Sequence, residues 1–188
     1  MTAKPRIVGH TPSQIKEQAP PKCAMAHPWS LEECKPRKGD VHSLYLNSLA
    51  EEALRKHAVA HRHERLEVMG LLLGEICQYN GKEYALARKA VTTQLDASQV
   101  AVKFSREGLD SLAASLAQID FEYVVVGWYH SHPGYGCFLS ETDVATQRSM
   151  FSGASHVAMV IDPVKEQAGA FRLAKTGYEP ATMCVYME

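Results

Sequence analysis

Two apolar runs that meet at Asn80-Gly81 restrict this 188-residue chain more than any other feature. LEVMGLLLGEI (Leu66 to Ile76) reads as a short buried strand and KEYALARKAV (Lys82 to Val91) as a second. Asn and Gly tolerate the positive φ that a tight hairpin turn demands, so the spacing predicts a hairpin. Around it, Leu44, Leu46, Leu49, Ala50, Ala53 and Leu54 recur near a helical period and predict an amphipathic helix from 43 to about 62. SREGLDSLAASLAQI (Ser105 to Ile119) predicts another, with Ser105 as N-cap. FEYVVVGWYH is the most β-branched and aromatic run. It is followed by a Gly- and Pro-containing loop, a helix over SETDVATQRSMF, and strands in HVAMVIDP, GAFRLA and TMCVYME. A hairpin combined with helical crossovers points to an α/β fold with a mixed sheet and helices packed on it.

Six of the nine prolines lie in the first 36 residues, which sets residues 1–39 apart as a proline-rich arm before a single domain over 40–188. Cys23, His27 and Cys34 fall in the arm, but their irregular spacing does not make a metal knuckle. The expectation there is a flexible or surface-packed tail. The formal net charge of −1 gives no general attraction to nucleic acid or anionic membrane. Five scattered cysteines suggest no disulfide framework, and a reducing compartment fits them. With neither a signal-like apolar run nor a stretch long enough to span a bilayer, the expectation is a cytoplasmic protein without a membrane anchor.

GWYHSHPGYGCFLSETDVATQ (Gly127 to Gln147) carries the chemistry. His130 and His132 lie two apart at a strand end, so both imidazoles project from one face. The following loop returns the chain to Ser140 and Asp143 at the start of a helix. Ser140-Glu-Thr-Asp143 is by itself a capping box. Combined with the histidines it completes a set of two nitrogens and a carboxylate. Three protein ligands leave a fourth tetrahedral position for water, which distinguishes catalytic from structural zinc. His57 and His61 share the i, i+4 spacing of a zinc pair, and His61-Arg62-His63 repeats the His-x-His spacing. Neither has a following Ser and Asp or the His-Glu-x-x-His order.

The segment GWYHSHPGYGCFLS..D..TQ resembles the signature of the JAMM (MPN-plus) zinc metalloproteases, most nearly deubiquitinases of the proteasome-lid type and their compact archaeal homologues. The likeness extends from about residue 42 to 180 through LEVMGLLLG and DPVKEQAGAFRL. It implies the MPN fold, a central curved mixed β-sheet flanked by helices. It also implies one catalytic Zn2+ held by His130, His132 and Asp143, with Glu67 as general acid/base and Ser140 as oxyanion stabiliser. The implied activity is isopeptide hydrolysis releasing ubiquitin or a ubiquitin-like protein from its target, with the proteasome as an assembly partner. The chain stops soon after the domain and has a short segment between Val91 and Phe104, so a compact prokaryotic, archaeal-type relative is expected. Thr92 to Phe104, with alternating Val100, Val102 and Phe104, is the candidate edge for adding the extended tail of the modifier as a strand. Three alternatives remain open at this level: trimming of a ubiquitin-like sulfur carrier, a non-catalytic MPN scaffold, and a Cys/His hydrolase with Cys137 as nucleophile.

Overall fold

A computed structural model describes residues 15–29, 40–64, 66–92 and 124–188. The expected helix over 105–119, the stretch 93–104 and Cys34 lie outside the described residues. The hairpin forms as its sequence dictates, from β3 (Met69–Tyr79) and β4 (Lys82–Thr92). Asn80 and Gly81 take φ of 51° and 75°, the left-handed pair a tight antiparallel turn requires. Register runs from Tyr79↔Lys82 to Gly70↔Thr92 and shifts at Leu73/Gly74. A Cβ at Gly74 would sit 1.8 Å from the Leu86 carbonyl oxygen, so only glycine lets the strands close at that bulge.

Remaining strands extend the hairpin on both sides. They are β1 (Lys16–Glu17), β2 (Leu44–Asn47), β5 (Val124–Ser131), β6 (Val157–Asp162), β7 (Gln167–Leu173), β8 (Tyr178–Ala181) and β9 (Met183–Tyr186). The order is β8-β7-β6-β5-β3-β4-β2-β9, with β1 added to β3. The β5–β6, β2–β4 and β2–β9 pairs are parallel, and β5–β3 and β6–β7 antiparallel, which makes the sheet mixed. Helix α1 (Ser48–Ala60) lies with Leu54 and Ala58 against Leu72, Ile76, Val126 and Met159. A second cluster joins Leu71, Leu73, Trp128 and Val160 to Leu139 and Phe151, the residues bracketing α2 (Glu141–Met150). Alternate residues of β3 and β5 thus enter separate clusters, and β6 is buried along its whole length, which is why these strands read as unbroken apolar runs.

Two expectations change, the start of the helix and the pairing of cysteines, while the arm takes the surface-packed of its two expected courses. The helix begins at Ser48 rather than 43, because Leu44, Tyr45 and Leu46 are buried in β2 between β4 and β9, and Asn47 caps α1 by accepting from Leu49 N. The described part of the arm packs on the domain: β1 pairs with Cys77 and Gln78, Met25 bridges Val185, and the Trp29 carbonyl accepts from Ala168 N. Docking the arm brings together two cysteines remote in sequence, and Cys23 and Cys184 form a disulfide. Among the described residues, no helix is long and apolar enough to cross a membrane.

Candidate metal centre

His130 is the penultimate residue of β5, paired with Met69 and Val160, and His132 follows one residue beyond the strand. Period-2 alternation puts the two rings side by side, with Nε2 atoms 3.1 Å apart. Asp143 occupies the first turn of α2, and its Oδ2 lies 3.4 Å from His130 Nε2 and 3.6 Å from His132 Nε2. Ligands about 2.0–2.1 Å from a tetrahedral zinc stand about 3.3 Å apart, so this donor set has the dimensions and chemistry that zinc requires. All three residues are buried. The other group of this kind among the described residues is Cys23, His42 and Cys184, whose sulfurs are joined to each other.

The rings are held from behind. His132 Nδ1 lies 3.1 Å from the Gly136 carbonyl; since a carbonyl only accepts, Nδ1 carries the hydrogen and the Nε2 lone pair faces the group. Trp128 stacks on His130 with centroids 4.5 Å apart, and its indole N–H donates to Gln147 Oε1. Burial alone would raise the Asp143 pKa, but the His130 and His132 imidazoles facing the carboxylate outweigh it and hold the carboxyl far below its ordinary range. Burial pulls the His132 pKa down, and the Asp143 carboxylate together with the charge of Glu67 reverses this into a net upward shift.

Glu67 therefore stands close enough for its charge to be felt at His132, outside the three-donor group. Its neighbour Val68 is clamped to β5 from both directions: Val68 N donates to Ser131 Oγ at 2.9 Å, and Ser131 N donates to Val68 O at 2.8 Å. Ser140 Oγ donates to Asp143 Oδ2 at 2.7 Å. Structure thus gathers all five residues named from the sequence around one strand end.

The model of the family described as "JAB1/Mov34/MPN/PAD-1 ubiquitin protease" matches residues 40–153. This chain belongs to that family. It is 35% identical over 158 residues to the 26S proteasome non-ATPase regulatory subunit 14 of Dictyostelium discoideum, covering 78% of this chain and 48% of the relative. It is 37% identical over 152 residues to ubiquitin carboxyl-terminal hydrolase RPN11 of Saccharomyces cerevisiae, covering 75% and 47%. To COP9 signalosome complex subunit 5 of Candida albicans it is 36% identical over 157 residues, covering 76% and 25%. The chain thus spans about half or less of the length of these relatives. The solved structure of protein DSY2949 from Desulfitobacterium hafniense shares the fold, with a TM-score of 0.55 at 19% identity over 77% of this chain and 94% of that one.

Within this JAB/MPN domain the other sequence candidates separate from the centre. Cys137 donates its Sγ hydrogen to Val160 O at 3.4 Å, and burial pushes its thiol up to about 11, so it is no thiolate near neutral pH. His57 Nδ1 lies 2.9 Å from the Tyr129 hydroxyl, and His61 pairs with Glu64. His27 Nε2 lies 3.4 Å from Glu51 Oε1 rather than joining Cys23. Sequence reasoning missed Ser131, Gln147 and Asp162, all buried polar residues beside the ligand-bearing segments. Ser131 sits inside the motif itself, and Asp162-Pro163 closes an apolar strand, a turn signal that gave no hint of a role at the site.

Proposed function

We propose that this chain is a zinc-dependent isopeptidase, cleaving the bond between the C-terminal tail of a ubiquitin-like protein and an amine on its target or precursor. The observation that carries the reading is the convergence of His130 Nε2, His132 Nε2 and Asp143 Oδ2 with Glu67 and Ser140 beside them. His130, His132 and Asp143 would hold Zn2+, which when bound supplies Lewis acidity and lowers the pKa of a bound water from about 15.7 to about 7. Glu67 takes the proton from the attacking water and delivers it to the departing amine nitrogen, a role open to it because it is not one of the three donors. Ser140 Oγ turns its hydrogen from Asp143 to the developing charge on the substrate carbonyl oxygen. Phe138, tilted against His132 with centroids 4.7 Å apart, shields that ring from water.

The names of the RPN11 and proteasome-subunit relatives support the substrate class, and association with a proteasome is proposed on the same footing. In this reading the enzyme is cytoplasmic, a location for which the Cys23–Cys184 bond withdraws the argument from cysteine usage. The segment Thr92 to Phe104 remains the proposed edge for the modifier's tail. Its residues beyond Thr92 are outside the described ones. The test is to incubate the full chain with fusions of several ubiquitin-like proteins, sulfur carriers among them, and to measure bound zinc. One equivalent of zinc and a cut after the modifier's tail are expected. Failure to cut any fusion with zinc in place would favour a scaffold.

A further inference from the structure

We propose that Asp162, through the loop from His132 to Cys137, is the positioning residue that fixes the ring of His132 for metal binding. The inference rests on the metal-centre reading above. The Asp162 carboxylate has no exposed surface and accepts four backbone N–H groups. Two come from its own turn, Val164 N to Oδ1 at 2.9 Å and Lys165 N to Oδ1 at 3.0 Å. These alone would describe an ordinary aspartate at the end of a strand. The other two come from 28 and 26 residues away: Gly134 N to Oδ1 at 2.9 Å and Gly136 N to Oδ2 at 2.7 Å.

Those two donors reach the carboxylate because Gly134 and Gly136 adopt φ of 86° and 84°, a conformation that side-chain-bearing residues rarely take. The carboxylate thereby sets where Gly136 stands, and the Gly136 carbonyl is the acceptor for His132 Nδ1–H at 3.1 Å. The N–H and C=O of Gly136 belong to different peptide planes, so the coupling is geometric: Asp162 places the acceptor, and the acceptor selects the tautomer and rotation of the ring. Adjacent residues of β6 hold the rest of the segment. Ile161 O accepts from His132 N at 2.8 Å, and Val160 O accepts from Cys137 Sγ at 3.4 Å. Among these anchors, Asp162 is the one that holds Gly136, whose carbonyl accepts from the imidazole.

The experiment compares the full chain with Asp162→Asn. An amide keeps one acceptor oxygen and turns an NH2 group toward a backbone donor, so the loop loses at least one of its two ties. Zinc affinity measured by competition with a chromophoric chelator should weaken about 10- to 100-fold, the usual scale for losing a ligand's outer partner. The visible absorption of the Co2+-loaded protein should change, and the His132 Nδ1–H proton resonance should shift or broaden. Gly136→Ala is the companion variant should Asp162→Asn not fold. Its Cβ would have only side-chain ends at 3.8 Å, so it disturbs the backbone conformation rather than the packing, and the same changes in weaker form are expected. Wild-type zinc affinity together with an unchanged His132 resonance, in whichever variant folds, would overturn the proposal. If the wild-type protein bound no zinc, the metal-centre reading would fail by itself. The His132 resonance, which needs no metal, would still judge the link from Asp162.

Discussion

Ser140 and Asp143 close a reciprocal capping box with the carboxylate oxygen that also faces the histidines. Asp143 Oδ2 accepts from Ser140 N at 2.7 Å and lies 3.4 Å from His130 Nε2, while Ser140 Oγ accepts from Asp143 N at 3.2 Å. In the sequence the cap and the ligand look like competing explanations of Ser-x-x-Asp. In the structure one local device does both, because a helix start fixes a carboxylate more tightly than a loop can.

Ser140→Ala should therefore cost twice. Losing the cap lowers stability by about 0.5–2 kcal/mol, and losing the hydroxyl donor should lower kcat by about a hundredfold or more. Ser140→Asn should recover the stability without the rate. Urea midpoints and single-turnover rates separate the effects, and an unchanged kcat in the alanine variant would remove Ser140 from the chemistry.

Glu67→Gln should retain zinc and fold while kcat falls on the order of a hundredfold or more, as expected for a lost general base. Metal analysis beside kinetics is the check. Activity near wild type would take the proton-transfer role from Glu67, whereas lost zinc would make it a support of the centre.

With its thiol pushed up to about 11, Cys137 should react slowly with iodoacetamide at pH 8. Cys137→Ala should cleave at nearly the wild-type rate, while a zinc chelator abolishes cleavage. The reverse pattern would restore the cysteine-hydrolase alternative.

His27 predicts a pH response in the docked arm. Burial, with a contribution from the Arg55 charge, holds its pKa down to about 4, against about 6.5 for an unfolded chain. Arg55 Nε lies 2.7 Å from Glu51 Oε1, so the carboxylate charge near His27 is already matched. As pH falls below about 6.5 the unfolded chain takes up a proton that the folded one refuses, so stability present above that pH is lost progressively down to about 4. The loss should approach about 3 kcal/mol from this group. Denaturant melts of wild type and His27→Gln between pH 7 and 4 should diverge by that amount. Parallel curves would contradict the assignment.

What the sequence conveyed divides along physical lines. The Asn80-Gly81 hairpin, the strand into His130 and the Ser140 cap are local devices, each complete within a few residues, and all three form where expected. β2 was hidden because Leu44-x-Leu46 satisfies period 2 and also runs into the helical spacing of α1. β1 has two residues and β8 four, too short to show a period. Pro180 in β8 is tolerated because that strand is the sheet's edge. The role argued for Asp162 joins residues 26 and 28 apart through backbone amides, whose positions no side-chain pattern encodes.

The Cys23–Cys184 bond, bridging a sequence separation of 161, makes a covalent ring of nearly the whole polypeptide. A ring must be cut twice before a piece can leave. A protease that breaks one peptide bond between those cysteines leaves a nicked molecule of unchanged mass, apart from one added water, until the disulfide is reduced.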